Sequence, residues 1–191
     1  MIQINYSIEF LGYWHAGSGL SGGVDANASV IKDELGLPFI PGRTIKGLLR
    51  EAAEVLNQLP AGHPQDFLKL VFGEEEGASA QGDGGVCFFS NAELSAYLKK
   101  KLGGEQREKM KLRANLYQSL AATAIDEKGQ AIDQSLRQME VTIPLTLYGT
   151  IGAFPKEKKY QEALENCFSW TRRLGMNRNR GLGRCIFTLQ T

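Results

Sequence analysis

Leu37-Pro38-Phe39-Ile40-Pro41-Gly42-Arg43-Thr44-Ile45-Lys46-Gly47-Leu48-Leu49-Arg50 joins a glycine-rich loop to a helix, and its reading decides the fold. Pro38, Pro41 and Gly42 close the loop, and from Arg43 onward the apolar residues recur as on one face of a helix. They are Ile45, Leu48, Leu49, Ala52, Ala53, Leu56 and Leu59, with Lys46, Arg50, Glu54 and Asn57 mostly opposite. A helix N-terminus is partly positive and favours acids in its first turn, yet Arg43 and Lys46 occupy that turn here. Exposed cations there cost typically ~0.3–1 kcal/mol each. An anion held by the free amides reverses that sign. Arg43 and Lys46 extending into water, or pairing with Glu51 and Glu54, is the plain alternative.

A second basic segment lies near the C-terminus: Trp170-Thr171-Arg172-Arg173-Leu174-Gly175-Met176-Asn177-Arg178-Asn179-Arg180-Gly181-Leu182-Gly183-Arg184. The chain has 22 basic and 21 acidic residues, but 17 of the basic and all of the acidic ones precede Asn166. Residues 166–191 therefore carry +5 and the remainder −4. Arginine together with exposed amide groups recognises phosphate. Gly181 and Gly183 can let the backbone approach a partner that a Cβ would obstruct. A solvated turn between a helix and a last strand is the competing reading. Two independent cationic segments favour phosphate: Arg43, Lys46, Arg180 and Arg184 are expected to face one groove, with Thr44, Arg50, Arg178, Gly181 and Gly183 beside them.

Outward from these segments, Ile2, Ile4, Tyr6, Ile8 and Phe10 alternate with polar residues and predict a half-buried strand. The loop from Gly12 to Gly36 is long enough that either a function or disorder is expected of it. A short helix is expected over 65–71, and a mobile acidic, glycine-rich stretch over 74–84. A short buried strand is expected at Val86–Ser90, with Phe88 and Phe89 assigned to packing. Residues 92–120 read as helical, broken at Gly103-Gly104, with a basic patch at Lys99–Lys101. A strand entering a turn follows at 124–131, then a strand over 139–151, a helix over 156–174 and a strand over 184–190.

At 191 residues a single domain is expected, spanning 1–191. Cys87, Cys167 and Cys185 form no paired motif, and with His15 and His63 they spell no zinc site, so reduced thiols in a cytoplasmic protein are expected. No signal peptide and no apolar run of membrane-spanning length is visible, so no membrane partner is expected.

Among the other candidates, Asp25 sits in Ser21-Gly22-Gly23-Val24-Asp25, ahead of the basic helix start. Near bound phosphates, one carboxylate can carry a metal ion or orient a 2′-hydroxyl; otherwise it is a turn residue. A carboxylate beside phosphates is costly unless a cation lies between, so Mg²⁺ or another divalent ion is expected there. Asp33 reads as a turn or capping acid. His15 can contact a nucleotide or act as a base, or be structural. Tyr13 and Trp14 can stack on bases or edge the core.

Taken together, these residues resemble the RAMP superfamily, specifically the backbone subunit of a type III CRISPR effector complex. The resemblance rests on Gly22-Gly23-Val24-Asp25 with Val30-Ile31-Lys32-Asp33, on 37–50, on Leu70-Val71-Phe72-Gly73, on Phe88-Phe89-Ser90-Asn91-Ala92, and on 174–184. Asn91 stands where the family pattern has an aspartate, and no zinc-binding insertion is evident. The resemblance implies an α+β fold: a modified RNA-recognition, ferredoxin-like βαββαβ domain with glycine-rich loops and a β-hairpin thumb at 122–140. It implies that copies of the chain, with other RAMP subunits, stack along a CRISPR RNA and display its bases to a complementary target RNA in antiviral defence. It further implies metal-dependent endonuclease (hydrolase) action on that target, with Asp25 as catalytic and metal-binding residue and Arg43, Lys46 or His15 stabilising charge. A non-catalytic structural RNA-binding subunit is the alternative. A guide-processing endoribonuclease fits less well, because only His15 and His63 are available as histidines.

Overall fold

Alternation in the first strand sets the two faces of the molecule. In β1 (Ile2–Phe10), Tyr6, Ile8 and Phe10 are buried while Gln3, Asn5 and Glu9 are exposed. The computed structural model describes residues 1–17, 28–59, 62–73 and 84–190. β1 lies between β5 (Thr146–Phe154) and β6 (Cys185–Gln190), and β2 (Phe88–Phe89) pairs with the outer edge of β5. All three pairings are antiparallel, and the order is β2-β5-β1-β6. The helix α1 (Gly42–Asn57) joins β1 to β2, and α4 (Lys158–Trp170) joins β5 to β6. This is the ferredoxin-like arrangement, and the expected α+β class is the one observed.

Both helices cover the same sheet face. Ile45, Leu49, Ala52 and Ala53 of α1 and Tyr160, Leu164, Cys167 and Phe168 of α4 share one core with Ile8, Leu147, Ile151 and Phe187. Ring packing fixes its centre: Tyr6 lies 5.7 Å from Phe168, and Phe168 lies 5.3 Å from Phe187. Among the described residues, neither α1 nor α4 packs on the opposite sheet face.

The region between β2 and β5 departs from the sequence reading. The expected helix over 92–120 resolves into α2 (Ala96–Leu102), α3 (Arg107–Ala114) and then a strand, β3 (Tyr117–Ala122). Gly103 and Gly104 break the helices as expected, and Lys109 and Arg113 reach back to the carbonyls of Lys100, Leu102, Gly103 and Gly104. β3 becomes a strand because a distant partner exists, β4 (Arg137–Thr142), with which it pairs in antiparallel register. Residue composition cannot reveal that partner. The strand expected over 139–151 is split, since Ile143-Pro144-Leu145 lies between β4 and β5 and proline donates no ladder hydrogen bond. The expected helix over 65–71 is a short π-type helix, Leu68–Phe72. The mobile stretch expected over 74–84 lies almost wholly outside the described residues, as does much of the loop that carries Asp25.

Candidate nucleic-acid interface

The start of α1 is held by close contact with β2. A Cβ on Gly42 would overlap the carbonyl oxygen of Phe89, so no other residue permits this approach. Asn91 Oδ1 accepts the Gly42 N–H at 3.0 Å, and the N–H groups of Thr44 and Ile45 donate to the Pro41 carbonyl at 2.9 and 3.2 Å. Fewer amides are therefore free than the sequence implies; among the described residues Arg43 N–H is the one left over in the first turn. Arg43 and Thr44 are exposed and Lys46 is half-buried. Neither Arg43 nor Lys46 forms an ion pair among the described residues. The acids considered as their partners are engaged elsewhere: Glu54 with Arg50 at 2.7 Å, and Glu51 with Arg178.

The C-terminal basic loop is pinned from within. Leu174 N–H donates to the Gly183 carbonyl, Gly183 N–H to that of Tyr13, and Met176 N–H to that of His15, all within 2.8–2.9 Å. Gly175 and Gly183 have positive φ, +100° and +69°. A Cβ at Gly183 would overlap the Leu174 carbonyl oxygen, and one at Gly175 that of His15. These two glycines thus serve close approach within the chain. Only Gly181, exposed with open space around its Cβ position, remains available for a partner's approach. Arg180 and Arg184 are exposed and in no ion pair among the described residues. Arg178 is half-buried and points its guanidinium at Glu51.

Tyr13–His15 lies beneath this loop. His15 is fully buried, a correction to its expected contact with a nucleotide. Its Nδ1 is 2.7 Å from the Glu140 carbonyl oxygen, which only accepts, so Nδ1 carries the proton; Nε2 has no hydrogen-bond partner among the described residues. Trp14 is also fully buried, stacked on Phe10 at 4.4 Å, which removes it as a base-stacking residue; Tyr13 stays exposed. The Glu140 carboxylate accepts Val30 N–H at 3.0 Å and pairs with Lys32 at 2.7 Å, so β4 anchors the end of the glycine loop. Asp33 accepts the N–H groups of Leu35 and Leu37 and is the turn residue it was expected to be. Asp25 lies outside the described residues. Among those described, no three His, Cys, Asp or Glu side chains gather where they could hold a metal ion.

Among the described residues, Arg43, Arg178 and Arg184 line separate hollows. Arg43 lines a cleft of about 970 Å³ at the uncovered sheet face. Arg178 lines a second hollow between α1 and the end of α4, and Arg184 a third beside β6. α1 and the C-terminal loop do meet, but through Glu51 and Arg178 rather than through a shared cationic wall. Sequence reasoning offered Glu51 to Arg43 or Lys46 and gave Glu140 and Asn91 no structural role; Glu51 instead pairs with Arg178, Glu140 holds Val30 and Lys32, and Asn91 holds Gly42. That reasoning also misread Phe88, which is 71% exposed where packing was expected. Alternation was the available signal, since adjacent strand residues face opposite sides and Phe89 is buried.

The description that matches this sequence is "RAMP superfamily", over residues 7–186. No curated protein sequence matches it. Among solved structures, a chain of "Cryo-EM structure of the Type III-B Cmr-beta bound to cognate target RNA" superposes with a TM-score of 0.70 at 15% identity, covering 99% of this chain and 97% of its own. A chain of "Type III-B Cmr-beta Cryo-EM structure of the Apo state" gives 0.66 at 15% identity, covering 98% and 97%. A chain of "Type IV-B CRISPR Complex" gives 0.64 at 15% identity, covering 100% and 91%. Among the described residues, no helix is long and apolar enough to cross a membrane.

Proposed function

The chain belongs to the RAMP superfamily, and from that premise we propose that it is an RNA-binding backbone subunit of a type III CRISPR effector complex. Its partners in this reading are a CRISPR RNA, complementary target RNA, further copies of the chain and other RAMP subunits. The fold shared with chains of two Cmr-beta structures supports the reading. The observation that carries it is the pinned basic loop. Backbone hydrogen bonds to Tyr13 and His15 fix its ends, and Arg180, Gly181 and Arg184 project from it with no acid paired to them among the described residues. A rigid cationic loop of this kind grips phosphates whatever the base sequence, leaving sequence reading to base pairing.

Cleavage of the paired target at Asp25 is the finer part of the proposal. A divalent ion would supply charge neutralisation at the scissile phosphate. Arg180 and Arg184 would hold the guide backbone while Asp25, in its glycine-rich loop, orients the attacking 2′-hydroxyl.

Two measurements test the proposal. Arg180→Ala with Arg184→Ala should weaken binding of unrelated single-stranded RNAs alike and flatten the salt dependence by about 0.7 per lost contact; unchanged affinity and slope count against the grip. In a reconstituted complex with complementary RNA and Mg²⁺, Asp25→Asn should abolish cutting and leave guide binding intact. Cutting at the wild-type rate would make the chain a structural subunit instead.

A further inference from the structure

The cleft of about 970 Å³ lies away from the basic loop, on the sheet face that, among the described residues, neither α1 nor α4 covers. Its floor is ordered by strand pairing. Phe88 lies opposite Gly152, Ser90 N–H bonds to the Thr150 carbonyl, and Glu93 pairs with Tyr148. Across the next strands Thr150 faces Asn5, and Asn5 faces Gln190. The face therefore carries one ring at each end, Phe88 and Tyr148, separated by the row Ser90, Thr150, Asn5 and Gln190. Gly152 and Tyr148 stand four positions apart on β5, about 13 Å along a strand. Both rings are exposed, Phe88 by 71% and Tyr148 by 44%. Arg43 stands at the rim of the cleft. The one acid on its wall, Glu93, is paired with Lys99, so the unpaired charge offered to a ligand is positive.

We infer that this cleft binds single-stranded RNA through its bases: Phe88 and Tyr148 each stack one base, the hydroxyl and amide row meets base edges, and Arg43 takes the adjoining phosphate. Aromatic platforms beside a cation recognise unpaired bases because every base has a stackable face. A second protein copy fits less well, since a protein interface wants a contiguous apolar centre, and here a polar row divides the two rings. The inference deepens the RNA-binding reading and rests on it: it separates Arg43, with a base-dependent site, from the loop arginines, which see phosphate alone.

The test compares the protein's affinity for a short fluorescein-labelled oligouridylate and for an abasic RNA backbone of equal length, by anisotropy. Wild type should prefer the base-bearing strand. Phe88→Ala and Tyr148→Ala should each lower its affinity about tenfold and leave the abasic strand unaffected, while Tyr148→Phe retains wild-type binding. Arg180→Ala with Arg184→Ala should weaken both strands together, which reports on the loop and not on the cleft. Equal wild-type affinity for the two strands, or a base preference that survives Phe88→Ala, overturns the inference while leaving the loop reading in place. Loss of self-association by Phe88→Ala in sedimentation, with base preference intact, also overturns it and assigns the cleft to another copy. Binding of neither strand sinks both readings.

Discussion

Arg178 reaches from the C-terminal loop to Glu51 on α1, its two terminal nitrogens 3.2 and 3.4 Å from the carboxylate oxygens. The pair joins the two cationic segments that the sequence separates by more than a hundred residues. It also withdraws one arginine from the surface that the proposed function offers to RNA. Both side chains are substantially exposed, 40% and 58%, so the pair contributes little to stability, about 0–1 kcal/mol.

Glu51→Gln therefore releases Arg178 without unfolding α1. We expect tighter RNA binding and a steeper salt dependence than wild type, with the melting temperature nearly unchanged. Arg178→Ala should cost less affinity than Arg180→Ala or Arg184→Ala, because its charge is already matched. Anisotropy titrations at several salt concentrations measure both effects.

The glycines of the basic loop separate by the cause of their need. At Gly183 a Cβ meets the Leu174 carbonyl, with φ at +69°; at Gly181 φ is +94° but the space is open. Gly181→Ala should cost about 1–2 kcal/mol of stability from backbone strain alone. Gly183→Ala should cost clearly more, and should loosen the hydrogen bond to Tyr13 together with RNA binding. Urea denaturation of the two variants gives the comparison.

Asn91 caps α1 across the cleft by accepting the Gly42 N–H. Asn91→Ala should lose about 1 kcal/mol, as for other N-terminal caps. Asn91→Asp should keep the bond and add an anion at the positive end of the helix, giving stability equal to or above wild type. Thermal melts at low and high salt distinguish the two contributions.

The hairpin tip is exposed throughout Glu127–Gln134. Its turn is closed locally, with the Asp126 carboxylate accepting from Lys128 and Gln130. Deleting Glu127–Ser135 should therefore leave a folded chain with an unchanged melt. If the hairpin is the thumb of the proposed assembly, the deletion should abolish long guide-bound stacks in electron microscopy. Normal stacks would remove that role.

The three thiols give a pH dependence. Burial pushes Cys167 and Cys185 up to about 12, and Cys87 up to about 11 despite the opposing pull of Lys46. In the folded chain they stay protonated where unfolded thiols, near their ordinary value of 9.0, have begun to ionise. The unfolded state then binds fewer protons, so stability falls as pH rises from about 9 toward 11–12 and is insensitive to these groups below that window. At neutral pH, modification by a thiol reagent should be slow for all three and become fast on unfolding; rapid labelling of the native protein would contradict their burial.

What the sequence by itself determined is local. Period-two alternation placed β1, the spacing of Ile45, Leu49, Ala52 and Ala53 placed α1, and proline with glycine marked the junction between loop and helix. The cationic character of both segments was equally legible, because charge is a property of composition. The tertiary structure decided which of those residues act together. β3 read as helix because its strand partner begins fifteen residues beyond its end, at Arg137. Gly183 read as a place for a ligand, whereas the backbone it admits, like that admitted by Gly175, is the chain's own. His15 and Phe88 exchanged their expected places, one buried and one exposed, because burial depends on which face an element presents to its neighbours. Where one groove was expected, Arg43, Arg178 and Arg184 line separate hollows among the described residues, and Arg178 is drawn to Glu51 by a contact between distant parts of the chain. Periodicity records the local backbone, but the neighbours that meet across space are selected only when the sheet closes.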